Sequence, residues 1–249
     1  MLTPLEWHDR FEQQARWTKQ VRRFLFSELA LAKRTRGLEV GCGTGVVAAG
    51  FHLWGTPQVY GIDLRRDFLQ LAGQHDPGLR LCQSNALRLP FPAASFDFVF
   101  CHYFLLWLSE PERALQEMRR VARPGGPVLL LAEPDYGGRI DYPESLAELG
   151  RLQSQALSRQ GADPQIGRKL ASLMISAGFS QVRSGVLGGQ WGWLFDENEP
   201  AAEWSILKND LSGQVSPQRL SEYQHQNTAA WQSGERILYI PTFYAWGLA

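Results

Sequence analysis

The chain has no long apolar run. Nothing in it approaches the roughly 20 apolar residues of a membrane-crossing helix. Its first residues, MLTPLEWHDRFEQQARW, are charged and hold no apolar stretch of the signal-peptide kind, so neither a membrane partner nor a leader is expected. It has no net charge either: 25 basic residues stand against 25 acidic ones. No long-range field draws such a protein to nucleic acid or anionic lipid, and no nucleic-acid partner is expected. Cysteine is scarce. Cys42, Cys82 and Cys101 are odd in number and lack paired metal-site spacing, so no metal is expected and a reduced, cytoplasmic setting is the default. Internal repeats and low-complexity segments are also missing.

The 249 residues suit one large domain, or one domain with a cap. With 44% hydrophobic and 20% charged residues, they can build a core. The most informative stretch is Leu38-Glu39-Val40-Gly41-Cys42-Gly43-Thr44-Gly45. An apolar run enters it, and the helix-compatible Val46–Leu53 leaves it. This predicts a strand, a tight glycine turn and a helix. Glycines allow positive φ and close approach of a ligand, and the helix start beyond them offers unpaired N–H groups. The spacing is G-x-G-x-G; Val46 stands where the dinucleotide fingerprint G-x-G-x-x-G needs its third glycine, so that fingerprint is not met. Glu39, two residues before the first glycine, would repel a pyrophosphate and suits a ligand carrying ammonium or sulfonium charge.

Along the chain, residues 5–34 are predicted as a helix, with Phe11, Ala15, Thr18, Val21, Leu25 and Leu29 on one face. Gln58–Leu64 is a second strand. It ends on Asp63, about 20 residues past the loop, where a carboxylate can accept both hydrogen bonds of a ribose diol or cap a helix at Arg65–Ala72. Leu79–Ser84 is a third strand, and Ser95–Cys101 a fourth, apolar enough to be buried on both faces. Pro111–Ala122 is a helix that Arg123-Pro124-Gly125-Gly126 stops. Pro127–Ala132 is a fifth strand. Helices are predicted at 143–161 and 166–177, a sixth strand at Val182–Leu187, polar helices within 196–234, and one last strand over 236–246. Ligands lie beyond the carboxyl ends of such parallel strands. His102 and Tyr103, and Glu133 and Asp135, are therefore candidate catalytic residues. The carboxylates could orient or deprotonate an amine or hydroxyl acceptor, or Asp135 could simply close a turn on its own backbone. His102 could contact a cofactor or handle a proton.

The motif LEVGCGTG resembles the first motif of the class I S-adenosylmethionine-dependent methyltransferases, and VARPGGPVLLLAEPD resembles a later region of the same family. The resemblance spans roughly residues 35–135. It implies an α/β, Rossmann-like, doubly wound, seven-stranded mostly parallel sheet whose last strand is antiparallel. An N-terminal helical lid (1–34) and an inserted helical cap (190–234) would flank a core of 35–189 and 235–249. It implies S-adenosyl-L-methionine as cofactor, held by Glu39, Gly41, Cys42, Gly43, Gly45, Asp63, Leu64, Asn85, Ala86, Cys101 and His102. Asn85 stands where the family commonly has aspartate; its amide oxygen could take the adenine amino group or serve a turn. Trp17 or Arg22 would close over the cofactor. The implied activity is methyl transfer to a small-molecule O, N, S or C nucleophile, in a pocket lined by some of the tryptophans of 191–246. A non-catalytic cofactor-binding domain and a nicotinamide-dependent oxidoreductase are the alternatives.

Overall fold

The computed structural model describes residues 2–31, 34–188 and 198–249, with side chains from residue 204 onward in the last segment. Two helices, α1 (Pro4–Trp17) and α2 (Lys19–Glu28), lead into β1 (Arg36–Val40), α3 (Val46–Leu53), β2 (Gln58–Asp63), α4 (Arg66–His75) and β3 (Arg80–Gln83). Then come β4 (Phe98–Cys101), α5 (Pro111–Val121), β5 (Pro127–Pro134), β6 (Ile140–Tyr142), α6 (Ala147–Arg159), α7 (Leu170–Ser176) and β7 (Ser180–Leu187). The chain ends with α8 (Asn198–Asp210), α9 (Pro217–Gln232), β8 (Ile237–Tyr239) and β9 (Thr242–Leu248).

Seven strands form one sheet in the order β3-β2-β1-β4-β5-β9-β7. β1 to β5 run parallel, and β9 is antiparallel between β5 and β7. The two-residue period of a strand sends alternate side chains to opposite faces. Phe98, Phe100, Leu129 and Leu131 therefore join Val47, Ala48 and Phe51 of α3 and Leu25 of α2 on one side. Val99, Cys101, Val128 and Leu130 join Leu115 and Met118 of α5 and Leu170 and Met174 of α7 on the other. Helices cover both faces, as the continuous apolar runs required. A third apolar cluster lies apart from these two. It unites Leu149 and Ala156 of α6, Trp204, Leu207 and Leu211 around α8, and Tyr223 and Ala230 of α9.

Three expectations need correction. The N-terminal helix is two helices, broken at Thr18, which is fully buried at φ −99°, ψ 4°. Its hydroxyl donates back to the Gln14 carbonyl at 3.0 Å, a bond that competes with helix continuation. The last strand is also two: Pro241 has no N–H to give a ladder, and the chain passes from β8 to β9 there. β8 pairs not with the main sheet but with β6, Ile140 facing Tyr239 and Tyr142 facing Ile237. β6 itself was not foreseen in the sequence. The predicted helix at 166–177 opens with a tighter 3-10 turn, Ile166–Lys169, before α7.

Candidate active site

The glycine turn is folded as its composition demands. Gly41, Gly43 and Gly45 take φ of 73°, 52° and 78°, values that cost an L side chain about 1–2 kcal/mol. The Gly41 and Cys42 amides both donate to the Ile62 carbonyl at 2.9 Å, tying the turn to the end of β2. Asp63 completes the tie. Its Oδ2 accepts from the Gly43 amide and its Oδ1 from the Arg65 amide, each at 2.9 Å. Asp63 therefore braces the turn, and its bond to the amide of Arg65, the residue preceding α4, also ties down the entry to that helix.

Glu39 lies beneath the turn, 2% exposed. Burial lifts its carboxyl to about 8, with the Ala48 amide and the Arg22 guanidinium pulling the other way. Among the described residues its Oε2 has no hydrogen-bond partner. A buried acceptor left unmet costs about 1–3 kcal/mol, so this oxygen suits a donor brought by a ligand. Arg22 is buried as well. It donates to the Ala15 carbonyl, and desolvation lowers its guanidinium to about 10.

α1 lies directly on the turn. A Cβ built at Gly43 would come within 2.7 Å of the Phe11 ring, and one at Gly41 within 2.0 Å of Phe104. His8 Nδ1 meets Thr44 Oγ1 at 2.8 Å. The His8 ring also stacks on His75 at the end of α4, centroids 4.1 Å apart and planes 10° apart. Burial and the His75 charge depress its proton affinity. Sequence reading missed this His8–Thr44–His75 contact, because it joins positions 31 to 67 residues apart.

The four catalytic candidates part company. His102 Nε2 meets Thr18 Oγ1 at 2.8 Å, so the break between α1 and α2 is pinned to the end of β4. Burial and the nearby Arg22 charge hold the imidazole neutral, its pKa well below the usual value. Tyr103 follows at φ 49°, its ring edge-on to His102 at 4.9 Å. Glu133 turns inward instead. It is fully buried, Oε1 accepting from the Phe104 and Leu105 amides at 2.8 Å and Oε2 from Leu106 at 3.2 Å. Burial outweighs those bonds and raises its carboxyl to about 7. Its role is to hold the short helix Leu105–Trp107. Asp135 is likewise committed: it accepts from the Gly137 amide at 2.9 Å and from Arg168 Nε at 2.6 Å and Nη2 at 2.8 Å. The capped turn is what Asp135 forms.

The other predicted binding residues scatter around the same sheet edge. Leu64 is exposed, Ala86 and Cys101 are buried, and Cys42 lies within the turn. Burial raises both thiols, so neither presents a thiolate. Asn85 is exposed, and its Oδ1 accepts from the Leu87 amide at 2.9 Å. Trp17 is 43% exposed, with the Arg10 guanidinium 4.9 Å over its ring.

Beyond the ends of β4 and β5 lies a cavity of about 520 Å³. Phe11 and Trp17 of α1, Tyr103, Trp107, Trp204 of α8 and Trp231 of α9 line it. Trp191 and Trp193 fall outside the described residues. A buried polar lattice forms part of the wall. Arg139 and Arg236 share Asp141, at 2.6 and 2.7 Å. Arg139 Nη1 reaches Gln153 Oε1 at 2.5 Å, and Gln153 Nε2 reaches Asp210 at 3.0 Å. Its members come from β6, α6, α8 and the entry to β8, a convergence no sequence spacing announces.

Comparison with known proteins places this arrangement. Residues 38–130 match the model of a methyltransferase domain family. An uncharacterised methyltransferase of Schizosaccharomyces pombe is 31% identical over 183 residues, 67% of this chain and 64% of that protein. The demethylmenaquinone methyltransferase of Staphylococcus aureus is 33% identical over 126 residues, 49% of this chain and 51% of it. The chain thus spans between half and two thirds of the length of these relatives. Among solved structures, Haemonchus contortus phosphoethanolamine N-methyltransferase 2, bound to S-adenosylhomocysteine, superposes with a TM-score of 0.57 at 17% identity. The match covers 86% of this chain and 49% of that one. A geranyl diphosphate methyltransferase bound to S-adenosylmethionine gives 0.58 at 15% identity, covering 93% and 84%. At such identities these two likenesses speak for the fold.

Proposed function

We propose, from the premise that this chain contains a class I S-adenosylmethionine-dependent methyltransferase domain, that it is an enzyme. It would transfer a methyl group from S-adenosyl-L-methionine to a small molecule held in the cavity between the sheet and α8–α9. One observation carries the cofactor assignment: the buried, unpartnered Oε2 of Glu39 beneath the glycine turn. An ionised pyrophosphate brings no donor for it; an α-ammonium group supplies donor and charge together and favours the ionised carboxylate. The rest of the cradle would be Gly41 to Gly45, with Asp63 toward the ribose and Leu64, Asn85 and Ala86 toward the base. The Asp63 and Asn85 oxygens each carry further lone pairs beyond the backbone bonds they already accept.

The cofactor would supply a methyl group already activated on a sulfonium. The protein's task is then positioning and exclusion of water. α1, seated on the turn through His8 and Phe11, would act as the lid, with Trp17 at its end facing the cavity. His102, held neutral by burial and the Arg22 charge, and Tyr103 would mark the transfer point where cavity and cofactor cradle meet. The wall of tryptophan, tyrosine and phenylalanine favours a ring-bearing, largely apolar acceptor. That fits the demethylmenaquinone named for the staphylococcal relative, which this chain matches over about half the length of each.

A second reading has an observation in its favour. Both candidate carboxylates, Glu133 and Asp135, are consumed by structure, which suits a domain that binds cofactor without turning over an acceptor. Release of S-adenosylhomocysteine in the presence of a panel of hydroxyarenes and aminoarenes separates the two. Product supports the enzyme. Tight cofactor binding with no product across the panel shifts the assignment to a binding domain.

A further inference from the structure

Five buried side-chain atoms in the described residues lack a hydrogen-bond partner, in Arg22, Arg36, Glu39, Thr56 and Trp204. Of these residues only Trp204 belongs to the wall of the 520 Å³ cavity. Its indole is 5% exposed and packs in the cluster of Leu149, Leu207 and Tyr223, which fixes the ring. Several other polar side chains of that wall are engaged. Arg139 and Arg236 are held by Asp141, Asp210 by Gln153, and Asn227 Oδ1 by Arg236 Nε at 2.9 Å. An indole nitrogen can only donate. A fixed, buried donor with no acceptor among the described residues, in a largely aromatic cavity wall, is a recognition element.

We propose that the Trp204 Nε1–H reads a neutral oxygen of the methyl acceptor, a carbonyl or ether on a ring-bearing, otherwise apolar molecule. The proposal rests on the cavity being the acceptor site. Trp204 comes from α8 and Tyr103 from the residues that follow β4, and both line the cavity. Trp204 is a specificity residue: its indole N–H touches substrate and takes no part in transfer. A site built to bond an oxygen discriminates against the analogue lacking it, because the donor is otherwise left unmet.

The probes are 1-tetralone and tetralin, alike in shape and differing in one carbonyl. Calorimetry is run with saturating S-adenosylhomocysteine, whose own binding reports separately on the methyltransferase reading. The wild-type protein is expected to bind 1-tetralone about 3- to 10-fold tighter than tetralin, the reach of one neutral hydrogen bond. Trp204→Phe, which keeps the ring and removes the donor, should erase that preference and leave S-adenosylhomocysteine affinity unchanged. A second measurement needs no variant: the Trp204 indole 15N–1H resonance should move downfield with 1-tetralone and not with tetralin. Equal binding of the probes by the wild type, a preference that survives in Trp204→Phe, or an unmoved resonance at saturation overturns the proposal. Failure of both probes to bind overturns it too, while intact S-adenosylhomocysteine binding would leave the cofactor assignment standing.

Discussion

Binding S-adenosylmethionine should expel a proton, and Glu39 should be its source. Burial holds the Glu39 carboxyl near 8 in the free protein. At pH 7 such a group is about 90% protonated. A cationic ammonium donating to its Oε2 favours the ionised form and draws the pKa down. If the bound pKa falls below 6, about 0.8–0.9 proton leaves per cofactor at pH 7, and about 0.1 at pH 9. Calorimetric titration in phosphate and in Tris, whose ionisation enthalpies differ, reads that number directly. Glu39→Gln removes the titrating group and leaves a neutral acceptor. Its proton release should vanish, and its affinity at pH 8 should fall by about 10-fold or more, the value of one charge-assisted bond. Undiminished release in the variant, or none in the wild type, would refute the role given to Glu39. The same shift has a sign for the free protein. A folded pKa above the unfolded one gives stability that is complete below about 4.5 and is lost as pH climbs through 8. Cofactor binding should flatten that loss.

The remaining predictions concern neighbouring contacts. Asp63→Ala should weaken cofactor binding ~10- to 100-fold, about 1.4–2.8 kcal/mol, because it loses a ribose acceptor and frees the Gly43 amide; unchanged affinity in a folded variant would sink that role. Glu133→Ala strips the acceptor from three buried amides and should cost about 2–4 kcal/mol in chemical denaturation; a variant of wild-type stability that has lost only activity would show Glu133 to be catalytic after all. Protonating His8 charges a ring stacked on His75, with Glu12 at 3.7 Å and Asp9 as partial compensation. Since its folded pKa lies below the unfolded one, α1 should loosen as pH falls below about 6.5. Amide exchange in α1 should then speed up between pH 7 and 5.5 in the wild type and be pH-insensitive in His8→Ala, after correction for intrinsic rates.

What was legible in the sequence was local. The glycine turn, the strands on either side of it and the acidic end of β2 are read from spacing a few residues long, and the apolar run 95–101 reveals a strand covered on both faces. Misreadings arose where distant residues decide. Nothing near Thr18 says that it will meet His102, 84 positions away, and break a helix. Nothing near Pro241 says that 237–239 will pair with 140–142 and leave the main sheet. The partners of Glu133 and Asp135 are of the same kind: three amides of the chain that follows His102 bond Glu133, and a guanidinium 33 residues downstream bonds Asp135. The cavity wall is the extreme case, since each element contributes only one or two side chains to it.

The most direct test of the account is calorimetric titration of the protein with S-adenosylmethionine, S-adenosylhomocysteine and NADH in turn. Micromolar binding of the first two and none of NADH is the expected result. Binding of NADH alone, or of none of the three, would contradict the assignment of the glycine turn and of Glu39 to a sulfonium cofactor.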